Sequence, residues 1–276
     1  MAGESGFQIS GGAAERYERH VAPIMAPFIP AILDAAALPP GGALLDLACG
    51  TGFVARAALP SLDPDGRIVG VDVNPEMLEV AAAHTPADAP DRPTVSWRHA
   101  SADELPFPAA QFDAVVCQQG AQFFPDLDAA LAEATRVLRP GGRIAVATWA
   151  SIDRSPFFLA QRLAVDDVAG PEVAASFDTA FACSARRLTA GLRTAGLTDV
   201  TSREVTCKIR LPRLDEYAPG QLLALPWGRP VATHPDGLTT YTRTLADLLF
   251  PYVAPDQSVV VPFATTLATA VRPAGD

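Results

Sequence analysis

The stretch LLDLACGTGFVAR, Leu44 to Arg56, carries the reading of the fold. Its first half belongs to the run ALLDLA (Ala43 to Ala48), nearly all apolar, as expected of a parallel strand covered on both faces. The run stops at the tight turn CGTG, and FVARAALPSL behind it reads as a short helix stopped at Pro60. In an open α/β sheet, ligands bind beyond the carboxyl ends of the strands, which is where this turn sits. Gly50 and Gly52 lack the Cβ atoms that would hold a ligand off the main chain, and the following helix directs its free N–H groups to the same spot.

Working outward, RIVGVDV (Arg67 to Val73) reads as a second strand. Asn74, Pro75 and Glu76 supply an N-cap, a proline at the first helical position and an acid in the first turn of a helix running to about Ala83. TVSWRHA (Thr94 to Ala100) and FDAVVCQ (Phe112 to Gln118) are the third and fourth strands. Asp126 caps LDAALAEATRVLR, Pro140-Gly141-Gly142 breaks that helix, and RIAVATW (Arg143 to Trp149) is the fifth strand. Beyond it lie a segment rich in Phe and Ala (Ser155 to Ala182), an amphipathic helix (Ser184 to Ala195), and a long strand (Asp199 to Arg210). Two helix candidates follow, Asp215 to Leu225 and Gly237 to Tyr252, and then a last strand, Ser258 to Val271. Crossovers of this length between parallel strands return right-handed and cover both faces of a sheet. The fold class expected is α/β: a doubly wound, Rossmann-like, mostly parallel sheet of seven strands with helices on both faces and helical lid and cap insertions.

Length and charge narrow the function. The chain has 276 residues, 49% of them apolar and 19% charged, which suits one large core; no apolar run reaches the roughly 18 residues of a membrane span. The formal net charge of -10 is the wrong sign for a nucleic-acid partner. The four cysteines (Cys49, Cys117, Cys183 and Cys207) form no C-x-x-C pair and have no neighbouring histidine at ligand spacing, so no metal site is expected. MAGESGFQISGG lacks a basic n-region and an apolar h-region, and a cytoplasmic location with reduced thiols is the expectation.

Two acids mark the site. Asp72 closes the second strand, where a carboxylate accepts both hydroxyl protons of a ribose diol. Asp46 lies at the end of a buried strand, where desolvation is costly unless a cation or a set of donors meets it. Gly50, Gly52 and Ala55 satisfy the dehydrogenase pattern G-x-G-x-x-G/A, but that pattern does not call for an acid four residues ahead of its first glycine.

The spacing D-x-x-x-G-x-G suits a cofactor that brings an ammonium to the glycine turn as well as a ribose. LLDLACGTGFVAR, VGVDVNPEML (Val69 to Leu78), ELPFPAAQFDAVVC (Glu104 to Cys117) and RVLRPGGRIAVATW (Arg136 to Trp149) together resemble the class I S-adenosylmethionine-dependent methyltransferases of the small-molecule, ubiquinone-biosynthesis-like type, in order and spacing. The resemblance implies S-adenosyl-L-methionine as cofactor and S-adenosylhomocysteine as product. It implies that Asp46 holds the methionyl ammonium, that Gly50, Thr51 and Gly52 lie against the methionine, and that Asp72 takes the ribose hydroxyls. Asn74 and Met77 border the adenine, a thioether suiting an aromatic ring. The family often carries Asp where this chain has Ser101, so the adenine amino group falls to Ser101, the Ala102 backbone or Asp103. Tyr17, Ala48, Val73, Gln118 and Phe123 complete the cofactor set. The implied division is an N-terminal helical lid (1–40), a cofactor core (41–150), and acceptor-pocket insertions with the last strands (151–276).

Methyl transfer from a sulfonium is an in-line displacement, so orientation and exclusion of water matter more than a base. Many relatives carry L-H-H after the fourth strand; this chain has Gln122-Phe123-Phe124, which leaves His20, in RYERHVAP, as the candidate catalytic group. Cys49 has no partner base and reads as packing. The acceptor pocket implied by the family would draw on Phe28, Phe157, Phe158, Phe177, Phe181, Tyr217, Trp227 and Tyr241, a lining for a hydrophobic, secondary-metabolite-like small molecule. The expected partners are therefore that acceptor, with no nucleic acid and no membrane, and the chain acts as a monomer or homodimer. Three other readings remain: an enzyme of this fold that uses S-adenosylmethionine for cyclisation or dehydration, a non-catalytic accessory protein that binds it, and a nicotinamide dehydrogenase, against which Asp46 weighs.

Overall fold

The computed structural model describes residues 12–87 and 89–275. The segment 1–11, on which the export reading and the start of the lid fall, lies outside them. Strands β1 (Ala43–Leu47), β2 (Arg67–Asp72), β3 (Thr94–His99), β4 (Phe112–Gln118) and β5 (Leu138–Trp149) pair in parallel. β6 (Thr198–Leu211) and β7 (Val259–Val271) complete a seven-stranded sheet of order β3-β2-β1-β4-β5-β7-β6, with β7 antiparallel to both neighbours. The apolar run at β1 is buried at every position, as a strand covered on both faces requires. Leu44 stands opposite Ile68 of β2 and Ala114 of β4. The chain winds one way from β1 through β2 to β3 and the other way from β4, so the β1/β4 boundary is the switch point where a doubly wound sheet opens a crevice.

Helices α1 (Ala13–His20), α2 (Ala22–Met25) and α3 (Ile29–Ala36) precede the sheet. α4 (Phe53–Ala58), α5 (Pro75–Ala83) and α6 (Leu127–Val137) are crossovers, and Asn74 and Asp126 cap α5 and α6 by accepting the Glu76 and Ala129 amides. The segment rich in Phe and Ala folds as α7 (Pro156–Ala169) and α8 (Pro171–Phe177). α9 (Ala185–Thr194), α10 (Leu214–Leu223), α11 (Gly228–Ala232) and α12 (Gly237–Leu249) follow. α7 and α12 pack together over a core of Phe157, Tyr241, Phe263 and their neighbours.

One boundary differs from the expectation. α6 ends at Val137, three residues before Pro140: Leu138 is already extended at φ -66° and ψ 145°, and Arg139, which precedes the proline, is disfavoured as helix. The extended ladder begins at Leu138, which pairs with Phe112, and jumps to Arg143 opposite Ala114. Pro140, Gly141 and Gly142 lie in that irregularity, with Gly141 at φ +79° and its amide bonded to the Arg272 carbonyl at 2.9 Å. The proline and glycines therefore sit within an irregular strand start, not at the helix end.

The glycine turn rests on an aromatic ring. A Cβ at Gly52 would stand 2.3 Å from Trp97 Cη2, and one at Gly70 2.2 Å from Trp97 Cζ3. The two missing side chains let the indole on β3 lie against β2 and the turn together. Gly70→Ala is expected to destabilise the chain by about 1–3 kcal/mol, the usual cost of overpacking, read as a lower urea midpoint with an unchanged slope.

Candidate functional site

The site begins with two buried carboxylates at the ends of adjacent strands. Asp46, 1% exposed, accepts the Ala55 amide on Oδ2 at 3.1 Å and so occupies the N-terminus of α4. That contact supplies part of the donor set demanded by a charge in this position. Burial nevertheless pushes its pKa up to about 7; the Ala55 amide opposes the rise, the Asp72 charge adds to it, and Arg56 opposes it. Asp72 reaches from β2 to the turn, accepting the Gly50 amide on Oδ2 at 2.8 Å and the Asn74 amide on Oδ1 at 2.9 Å. Burial raises its pKa also, against the pull of the Asn74, Gly50 and Val73 amides and of His99.

The turn between them is bare toward the ligand side. Gly50 has φ +53°, and a Cβ there would meet nothing within 4 Å among the described residues. Thr51 is turned away: its hydroxyl donates to Glu18 of α1, and the Arg56 guanidinium bonds to the same carboxylate and to the Thr51 carbonyl. Glu18 thus clamps the N-terminal helix onto the turn.

A cavity opens here beyond the carboxyl ends of the strands. Of the expected cofactor residues, Tyr17, Asp46, Ala48, Gly50, Asp72, Val73, Asn74, Met77, Ser101, Ala102, Gln118 and Phe123 line it. Thr51 and Gly52 do not; the first is held by Glu18, and the second carries the φ of +79° and the Trp97 contact that the turn needs. His20 is not among the lining residues either. Its ring lies edge-on to Tyr217 at 5.9 Å and close against Gly220, while its carbonyl accepts the Tyr217 hydroxyl. Burial, Arg19 and Arg16 lower its pKa, so the ring is held neutral beside α10 and away from the cavity. The geometry does not bring the expected catalytic histidine to the site.

Met77 serves twice, lining the cavity and packing with Ala13, Ala14 and Val80 under α1. Tyr17 donates to Met25 Sδ at 3.6 Å, and burial with the Asp72 and Glu18 charges raises its pKa, which keeps the phenol protonated. Phe158, Phe177, Phe181 and Trp227 form the far wall, whereas Phe28, Phe157, Tyr217 and Tyr241 belong to the core behind it. Burial lifts the thiols of Cys49 and Cys117, the latter to about 12, which removes both as nucleophiles.

Sequence reasoning missed Gln119. Ala48 and Gln119, at the ends of β1 and β4, hold φ of +55° and +52°, a conformation costly for side-chain-bearing residues and concentrated at functional sites. Gln118 donates to the Met25 carbonyl at 2.8 Å, but its Oε1 and both polar atoms of the Gln119 amide are buried with no partner among the described residues. Both residues line the cavity at 6% exposure. Unsatisfied amides beside a bare glycine turn and two acids fit a ligand with a cationic group, hydroxyls and its own donors and acceptors.

Comparison with known proteins agrees with this arrangement. Residues 45–146 match the family described as a methyltransferase domain. Over 115 residues the chain is 40% identical to nocamycin O-methyltransferase of Saccharothrix syringae, covering 41% of this chain and 40% of that protein. Over 132 residues it is 32% identical to 2-phytyl-1,4-naphtoquinone methyltransferase of Trichormus variabilis, covering 48% of this chain and 57% of that protein. Both matches span less than two thirds of the relative's own length. The crystal structure of YcgJ from Bacillus subtilis shares the fold over 90% of this chain and 98% of its own, with a TM-score of 0.58 at 18% identity. Residues 45–146, which hold the glycine turn between its two acids, are thus similar to a methyltransferase domain, and the strand order agrees with that likeness.

Proposed function

We propose that this chain transfers a methyl group from S-adenosylmethionine to an oxygen, nitrogen or carbon atom of a hydrophobic small molecule, releasing S-adenosylhomocysteine. The observation that carries the reading is one continuous cavity lined both by Asp46, Asp72 and Gly50 and by Phe158, Phe177, Phe181 and Trp227. When bound, the cofactor supplies a methyl group on a positively charged sulfur, already activated toward displacement. Asp72 keeps lone pairs beyond those given to Gly50 and Asn74, enough to accept ribose hydroxyls. Asp46 stands ready to balance an ammonium, and Gln118 Oε1 and the orphaned Gln119 amide are available to the methionyl part. Val73, Asn74, Met77, Ser101 and Ala102 suit the adenine. Tyr17 and Phe123 would help exclude water from the reacting centre. No His, Lys or Arg lines the cavity among the described residues, so this reading rests the rate on orientation and desolvation and assigns no role to His20.

Thermal shift and calorimetry test the reading. S-adenosylhomocysteine is expected to raise Tm, and NAD to leave it unchanged; stabilisation by NAD alone would overturn it. Asp72→Ala is expected to weaken cofactor binding at least tenfold, the scale of a lost charged hydrogen bond. With extracts of lipophilic metabolites and labelled S-adenosylmethionine, mass spectrometry should detect a labelled product; binding without any label transfer would favour the non-transfer readings.

The raised pKa of Asp46 sets a pH dependence. The folded chain holds this proton up to about pH 7 against a usual value of 3.8, so falling pH favours the folded ligand-free state across that window, and ionisation above it is a penalty. Binding a cation requires the ionised form. Cofactor affinity is therefore expected to fall as pH drops below about 7, approaching tenfold per unit. In Asp46→Asn that slope should vanish together with tight binding, while Tm of the ligand-free protein at pH 8 rises above that of the natural chain.

A further inference from the structure

The aromatic end of the cavity contains one polar group whose orientation is set from behind. Gln161 of α7, Gln221 of α10 and Tyr241 of α12 are each 0% exposed. Gln161 Nε2 donates both to Gln221 Oε1, at 2.6 Å, and to the Tyr241 hydroxyl, at 2.8 Å. Both amide hydrogens of Gln161 are thereby engaged, its Oε1 has no partner among the described residues, and the oxygen of Gln221 is turned toward α7. Its Nε2 then faces away from the relay and has no partner among the described residues. Of the three residues, Gln221 alone lines the cavity, which Leu225, Trp227, Phe158 and Phe177 also line. A buried amide donor left unmatched in an apolar wall is rare unless a ligand completes it.

The charge around it restricts what that ligand is. Among the described residues the cavity is lined by Asp46, Asp72, Asp103 and Asp126 and by no Lys, Arg or His, so a carboxylate or phosphate is opposed by the field of four acids. A hydroxyl would bring a proton needing its own acceptor among phenyl and indole rings. A ketone-type carbonyl accepts from Nε2 and brings no donor to be matched.

We propose that Gln221, oriented by Gln161 and Tyr241, is the specificity-determining residue for the acceptor, and that the acceptor is a neutral, largely apolar molecule whose ketone-type carbonyl lodges against the Gln221 amide. This rests on the methyltransferase reading for its choice of occupant and adds the chemical class of that occupant. Gln221 selects and orients; removing its donor costs the advantage of a carbonyl-bearing ligand and leaves an apolar one unaffected.

Tetralone and tetralin, the same bicyclic skeleton with and without a carbonyl, are suitable probes, titrated against the full chain with and without S-adenosylhomocysteine. Trp149 and Trp227 line the cavity and report occupancy by fluorescence. The natural chain is expected to bind tetralone about fivefold more tightly than tetralin, the worth of one neutral hydrogen bond. Gln221→Glu keeps an oxygen for Gln161 and turns a second acceptor toward the cavity, so the preference of tetralone over tetralin should vanish or reverse. Gln161→Met leaves Gln221 in place but unoriented and should reduce the preference. Equal binding of both probes by the natural chain, binding of neither, or a preference retained in a folded Gln221→Glu overturns the proposal. S-adenosylhomocysteine is followed separately: its failure to bind would sink the methyltransferase reading, while a carbonyl preference without it would leave the Gln221 assignment standing.

Discussion

Everything at the ligand end of this sheet depends on Asp72 reaching across from β2 to take the amide of Gly50. A glycine turn has little to hold it, since the residues that free the main chain for a ligand also remove the side chains that would anchor it. Here a carboxylate on the neighbouring strand ties the turn down from one side, Asp46 ties the start of α4 through the Ala55 amide, and the Trp97 indole fills the space beneath. The cost is two carboxyl groups held in a dry place with raised pKa values. A site that gives up stability to keep charges ready for a partner is a familiar trade.

The two ends of the chain finish the cavity in different ways. The N-terminal helix is held by charge and polar contacts: Glu18 to Thr51 and Arg56, Arg16 to the Leu223 carbonyl, and the Met25 carbonyl to Gln118. The C-terminal helices are held by apolar area, with Phe157, Phe177, Tyr241 and Phe263 fully or almost fully buried. The result is a cavity polar and acidic where the strands end and aromatic under the cap. The net charge of -10 thereby acquires a local meaning, since among the described residues four of the acids line the cavity and no basic side chain does.

Much of this was legible in the residues. The apolar runs of β1, β2 and β4, the Asn74 and Asp126 caps and the spacing from Asp46 to Gly50 are local signals, and the fold and the position of the acidic lining of the cavity follow from them. What local signals do not carry is a side chain that answers to something distant. Thr51 sits in the motif but bonds to Glu18, thirty-three residues away. His20 lies on the covering helix, yet its ring turns to Tyr217, and nothing near it in sequence signals that choice. Gln119 carries no motif at all; only its backbone conformation and orphaned amide mark it.

The amino-acid sequence by itself determined the doubly wound sheet, the place of the glycine turn and the two acids flanking it, because strand burial, capping and turn chemistry act over a few residues. Tertiary structure alone decided which side chains face the cavity, how the Gln161, Gln221 and Tyr241 relay forms from three separate helices, and how far burial lifts Asp46 toward neutrality. Those outcomes depend on desolvation and on hydrogen-bond partners brought together from distant parts of the chain, quantities that exist only once the elements have packed.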